Sequence, residues 1–574
     1  MSETCATFDA WNPGLRSEIP PRLLPKATLF RPENSHTGYE DARAAADFCG
    51  RKPQEMAELR LARLVVHELL IRVTADLHVP DGPRYGDLGL KMRGMAARIL
   101  EKHIAPEMPG LETRFAAFRD DVAARLARIL EADLRRPPAP AARRAGFLSR
   151  FRAPEPPPAP AEPPEFAALA RWAGRAASEA DETERACLEA LGVVVGGVIA
   201  RRGRLIADRE TIIRLARGWV CNGLGSVVVG RMITPLLAEA AEALGYRFLP
   251  TQEHPCVMNV KGASAAGKSS IRPLQRKLAA RLGIGWDEFA LVSPDYWRKF
   301  LLDYDGLGED FKYAGMLTGM ELEIIDRKLD RHIEEKAEAG RMPHLLIDRF
   351  RFDSFQSGTE AQQDRSTLLS RFGHTVYLFF MITPPVETVE RAWIRGLATG
   401  RYKAVEDLLY HNIEAYTGMP QLFLSWVNRT GQTIHFEFLD NGVPLGQRPR
   451  TVAFGWNGRV TILDPECLCR MRSYQGVNIH ARRPEEAMVE TGGRDLLAEC
   501  VAKVPVVEIV DPRSCAVLSR TENGVRVYQR PAAESAALPA LAGAAEPDPG
   551  AEPGPPPIDG DHERRFTIGD WAHP

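Results

Sequence analysis

Residues 262–269 read Gly-Ala-Ser-Ala-Ala-Gly-Lys-Ser, and their flanks differ in kind. An apolar run of strand length (256–260) precedes them, and a stretch with helical patterning (271–282) follows. A strand that turns through small residues into a helix is a narrow demand on a fold. The small side chains let backbone N–H groups close around a phosphate, at a helix N-terminus whose dipole favours anions. Gly262, Ala263, Ser264, Ala265, Ala266, Gly267, Lys268, Ser269 and Ser270 are therefore the expected cradle for ATP. Lys268 is expected to reach the β- and γ-phosphates, and the Ser269 hydroxyl to ligate Mg²⁺. Pro273, inside the following helix, is expected to remove a bond to Ser269 and kink the first turns.

Around this loop, short apolar runs at 256–260, 289–292, 345–347 and 376–382 alternate with helical stretches. That alternation predicts an α/β domain with a mostly parallel sheet over 249–432. Ahead of it, three-and-four spacing predicts helices at about 54–79, 86–104 and 111–134, in a helical region covering 1–135. Residues 136–164 are rich in Pro and Ala and read as an extended linker. A second helical region is expected at 165–248. Beyond the α/β domain, 433–439, a hairpin of 451–454 with 460–463 around Asn457-Gly458, and a pair 506–510 and 525–528 predict a small β-rich module, 433–530. The tail, 531–574, is Ala, Pro, Gly and acid and is expected to be disordered. The predicted fold is thus multidomain: an α-helical N-terminal region, an α/β P-loop NTPase domain and a small β-rich C-terminal module.

Composition narrows the partners. The 574 residues carry a net charge of −2, with no global basic excess to attract nucleic acid or an anionic membrane. The most apolar run, 192–200, is about half the roughly 20 residues of a membrane span and reads as buried core. Residues 1–20 hold Asp9, Glu18, Pro13 and Pro20 where a signal peptide needs an apolar stretch. Nine scattered cysteines suit a reduced, cytoplasmic chain. Cys467 and Cys469 lack further ligands nearby, and His332, His344, His374 and His411 have no metal-like spacing. Asp303, Asp305 and Gly306 do not complete a calcium loop.

Acids and arginines at strand ends supply the remaining chemistry. Asp295 follows the second strand, on the sheet edge that the loop occupies. There it can accept a substrate proton, help hold Mg²⁺, or cap a helix. Asp348 ends the third strand as a Walker B acid would, supporting Mg²⁺. Arg349 and Arg351 follow it and can grip an anionic substrate. Arg391 and Arg395 lie four apart on one helix face, and Arg401 lies beyond the hinge-like Gly396 and Gly400. Such arginines can close over a transferring phosphoryl group.

Over about 250–430 these residues resemble the zeta-toxin group of P-loop kinases, which phosphorylate the sugar of UDP-N-acetylglucosamine or related small molecules. The resemblance rests on GASAAGKSS, the SPDYWRK segment at 293–299, a long helix at about 315–339, and the lid segment ending in GRYKAVEDLL. It implies a general base at Asp295, the phosphate-binding lysine at Lys268 and lid arginines at Arg395 and Arg401. Asp348, Arg349, Arg351 and Arg391 are the expected acceptor-side residues. The family's Glu-Gly-Thr element is replaced here by Asp348-Arg349-Phe350-Arg351-Phe352, which leaves the acceptor open. The implied reaction moves the ATP γ-phosphoryl to a hydroxyl of a small molecule, a nucleotide sugar being one candidate. The alternatives are an ATP- or GTP-hydrolysing switch acting on the helical region, and a P-loop kinase of another small-molecule class. The helical N-terminal region is where a protein partner is expected.

Overall fold

The computed structural model describes residues 8–82, 84, 86–134, 163–349, 369–444, 446–489, 492–530 and 555–571. They form two compact units. One comprises 20–70 and 96–245, the other 1–19, 71–95 and 246–574. Most of the expected linker falls outside the described residues.

The first unit is helical. Helices Met108–Leu134, Pro164–Ser178, Glu182–Arg202 and Arg209–Asn222 close on one core in which Leu126, Ile129, Trp172, Leu191, Val195 and Val220 are buried. The two helical regions expected on either side of the linker therefore share a single hydrophobic interior. Caps fix the helix ends. Asp181 accepts the Thr183 and Glu184 N–H groups, Asp208 accepts that of Thr211, and Gly203 closes its helix at φ 77°. The 192–200 run is helical despite its glycines, and Val194, Val195 and Val198 are buried. One described helix, Leu224–Leu244, is long and apolar enough to cross a membrane by length and composition. Within its most apolar window 44% is buried.

The second unit is built on one ten-stranded sheet: β1 Cys256–Lys261, β2 Phe289–Val292, β3 His344–Asp348, β4 Thr375–Ile382, β5 Thr433–Asp440, β6 Arg450–Trp456, β7 Arg459–Ile462, β8 Val506–Val510, β9 Val517–Glu522 and β10 Val525–Gln529. The order is β10-β9-β8-β7-β6-β5-β4-β1-β3-β2, with β2, β3, β1, β4 and β5 parallel. Every residue of β1, β2 and β3 is buried, as expected of parallel strands covered on both faces. β9 alternates between buried and half-buried positions, which marks a sheet covered on one face. β1 and β3 are neighbours whose chains leave in opposite directions, towards β2 and towards β4. Ligands of open α/β sheets collect at such a switch point, outside the strands' C-terminal ends.

Several expectations are corrected. The strands from 433 onward are no separate module, because β5 pairs in parallel with β4 and β6–β10 extend the same sheet. β8 and β10 do not pair with each other; β9, overlooked in the sequence, lies between them. The expected 54–79 helix divides into Pro53–Met56 and Leu61–Ala75, and the latter is buried on nearly every side. Residues 71–95 belong to the sheet unit. Pro273 does not break a helix: Lys268–Ile271 forms a 3₁₀ turn, and the proline sits in the first turn of Arg272–Arg281, where an N–H is dispensable. The end of the tail is ordered. Helix Gly560–Arg564 leads to Ile568 and Trp571, both buried, and the Ile568 and Gly569 N–H groups donate to Glu437 on β5 at 2.8 and 3.0 Å.

Candidate functional site

The loop leaving β1 takes a shape that few sequences allow. Gly262 has φ 157°, and a Cβ there would lie 2.9 Å from Met381 Cβ. Gly267 has φ 90°, and its Cβ would lie 2.3 Å from Asn441 Nδ2. Between them Ala265 holds φ 63°, a conformation that costs a non-glycine residue and recurs at functional sites. The Lys268 ammonium turns back into the loop and donates to the Gly262 and Ala263 carbonyls at 3.0 and 2.7 Å.

This loop opens onto a cavity of about 810 Å³, well within ligand size. Ser264, Ala265, Gly267, Lys268, Ser269 and Ser270 line it, as do Asp295, Asp348, Arg349, Arg391, Arg395 and Arg401. Ala263 and Ala266 are buried behind the wall. Arg351 lies outside the described residues. At the switch point the Ser269 hydroxyl hydrogen-bonds the Asp348 carboxylate across the ends of β1 and β3. Arg272 approaches the same carboxylate at 3.4 Å and donates to the Tyr296 hydroxyl at 3.1 Å.

Asp295 sits in the short 3₁₀ turn Pro294–Trp297. Its half-buried side chain takes Arg298 Nε at 2.8 Å and an Arg401 amino group at 2.6 Å on the carboxylate. Burial alone would raise its pKa, but the charges of Arg401, Arg298 and Arg395 hold it well below the usual carboxylate range. Burial, helped by Arg395 and Arg401, pulls Lys268 down to about 8 against the opposing pull of Asp348 and Asp295.

Two expected acceptor-side arginines have other work. Arg349 is buried and paired with Asp326 and Asp330, each at 2.6 Å, which ties the end of β3 to helix Gly319–Glu338. Arg391 donates to Glu387 at 2.8 Å and to the Asn441 and Val443 carbonyls at 2.7 and 3.1 Å, bracing helix Pro385–Thr399 against the segment after β5. Within that helix Gly396 makes no break; a Cβ there would lie 2.5 Å from the Tyr402 ring. The break is Gly400, a left-handed cap at φ 76°.

Sequence reasoning missed Arg272, whose signal is its place one turn after the loop. It also missed Thr383 and Asn441, which reach the loop from just beyond β4 and β5. Asp81, Gly82 and Arg84 line the cavity too. They come from the 71–95 segment, which nothing in its own pattern links to the loop.

No family model matches the chain, and no curated protein matches it. Among solved structures, one from the PezAT chromosomal toxin–antitoxin system of the human pathogen Streptococcus pneumoniae aligns with 36% of this chain and 77% of its own. The identity is 15% and the TM-score 0.25, a distant likeness only.

Proposed function

We propose that the chain is an ATP-dependent phosphotransferase that moves the γ-phosphoryl group to a hydroxyl of a small molecule. One observation carries this reading: a glycine-bounded loop with its lysine, a paired hydroxyl and carboxylate, and an arginine-held carboxylate all face one cavity at the sheet's switch point. Lys268 exchanges the loop carbonyls for phosphate oxygens. Ser269 and Asp348 are hard oxygen donors already side by side, a set that suits Mg²⁺, which completes its shell with phosphate and water. Bound there, Mg²⁺ would neutralise phosphate charge.

Asp295 orients the acceptor hydroxyl. While Arg401 holds it, its low pKa makes it a poor proton acceptor. Its basicity rises when Arg401 turns to the transferring group, so proton transfer accompanies phosphoryl transfer. Arg395 and Arg401 meet the charge that develops there. The resemblance makes nucleotide sugars the first acceptors to try. The test is a metabolite extract incubated with γ-labelled ATP. A labelled small-molecule product that disappears with Asp295→Asn supports the reading, whereas labelled inorganic phosphate alone points to a hydrolysing switch.

A further inference from the structure

The Ala266 carbonyl is buried beneath the loop and receives two side-chain donors. Thr383 Oγ1 lies 3.0 Å from it and Asn441 Nδ2 2.9 Å. Both side chains are buried, and each is fixed in turn. The Tyr416 hydroxyl accepts the Thr383 N–H at 2.7 Å and donates to the Thr383 carbonyl at 2.6 Å, while the Asn441 N–H donates to the Ile382 carbonyl at 2.7 Å. No cis peptide occurs among the described residues, so the Gly267 N–H points opposite to the tethered carbonyl. Gly267 also lines the cavity.

We propose that Thr383 and Asn441 are positioning residues that lock the Ala266–Gly267 peptide plane, so that the Gly267 N–H is set in advance to donate to a phosphate beyond the first. Gly267, at φ 90°, has the freedom to let this peptide turn over. Turning it would bury the Gly267 N–H against two buried donors and leave all three without an acceptor, which is costly. The loop thus meets its ligand without reorganising, and preorganisation of this kind raises affinity. The ligand class is a nucleoside di- or triphosphate. This inference rests on the phosphate-binding reading given above.

The test is equilibrium binding of ATP with Mg²⁺, and of AMP, to the full-length protein carrying Thr383→Val, Thr383→Ser, Asn441→Leu or Asn441→Asp. Thr383→Val and Asn441→Leu are each expected to weaken ATP about tenfold, the scale of one lost buried hydrogen bond. AMP, which has only one phosphate, should bind as it does to the unaltered protein, and Thr383→Ser should restore ATP affinity. Asn441→Asp, which sets an acceptor against the Ala266 carbonyl, should weaken ATP at least as much while preserving size. Unchanged ATP affinity in the folded variants, or equal loss for ATP and AMP, overturns the proposal. Lys268→Ala separates the two levels. If it leaves ATP binding intact, the phosphate-binding reading itself fails. If it abolishes binding while the Thr383 and Asn441 variants bind normally, only the tether fails.

Discussion

Arg401 has two partners in view and one guanidinium. In the structure it holds Asp295 at 2.6 Å, and in the proposed reaction it must reach the phosphoryl group. Arg401→Ala should therefore lower kcat more than it raises the KM for ATP, since the lost contact belongs to the transition state. It should also free Asp295, so that the acid limb of kcat/KM moves up towards the ordinary carboxylate range near about 3.9. An unmoved acid limb would mean that Arg298 and Arg395 suffice to hold the Asp295 charge. Asp295→Asn should keep ATP binding near normal and cut transfer to the acceptor by roughly 10²–10⁴, the usual worth of positioned acid–base catalysis. Loss of nucleotide binding in that variant would instead make Asp295 part of the phosphate or metal site. At this scale the sequence was most legible where backbone chemistry dictates residue type. Gly262, Gly267, Lys268 and Ser269 are constrained by local geometry, and local geometry is written in consecutive residues. Arg349, at a sheet edge, and Arg391, on a helix face, are expected on the acceptor side because neither position reveals the partner of its charge. Asp326, Asp330 and the Asn441 and Val443 carbonyls claim them from elsewhere in the chain.

Among the elements, the final segment departs most from its sequence pattern. A composition of Ala, Pro, Gly and acid over 531–574 predicts disorder, yet Ile568 and Trp571 are buried and the Trp571 ring lies tilted against Phe454, 4.8 Å between ring centres. A few anchoring residues outweigh a polar average when a buried acceptor awaits their N–H groups. That acceptor is Glu437, fully buried, which also takes the Thr451 hydroxyl at 2.7 Å. Burial pushes its pKa up to about 7 despite these hydrogen bonds. A carboxyl raised in the folded state binds a proton that the unfolded chain has released. Its stabilisation is complete below about pH 4, the unfolded value, and is lost as pH rises through about 7. From this group alone stability should fall by about 3 kcal/mol between those limits. Thermal melts of the natural protein and Glu437→Gln from pH 5 to pH 8 check this: the variant should show a flatter dependence. Parallel curves would assign the slope to other groups.

The boundary drawn at 432 shows how far local patterns reach in the whole molecule. Alternating strands and helices up to that point describe a complete α/β domain, and the hairpin at Asn457-Gly458 looks like the start of something new. Pairing between strands distant in sequence is invisible to such patterns, and it decides the matter here. β5 runs parallel to β4 along its whole length, from Thr375 opposite Thr433 to Ile382 opposite Asp440. Phe380 stacks on Phe438 at 4.6 Å, and Phe423 meets Phe436 and Phe438 at 4.7 and 5.3 Å. A fragment of residues 249–432 would end β4 in an open edge of buried apolar residues. It would also lose Asn441 beneath the loop and the 71–95 segment beside the cavity. Open, flat, apolar edges pair with other chains. The fragment is therefore expected to aggregate, whereas the full chain stays soluble and binds ATP with Mg²⁺. Expression of both, with sedimentation and nucleotide binding measured side by side, decides it. A monomeric 249–432 fragment that binds ATP as the full chain does would show that the loop needs nothing beyond β4, and that the strands from 433 onward are an appendage to a self-sufficient domain.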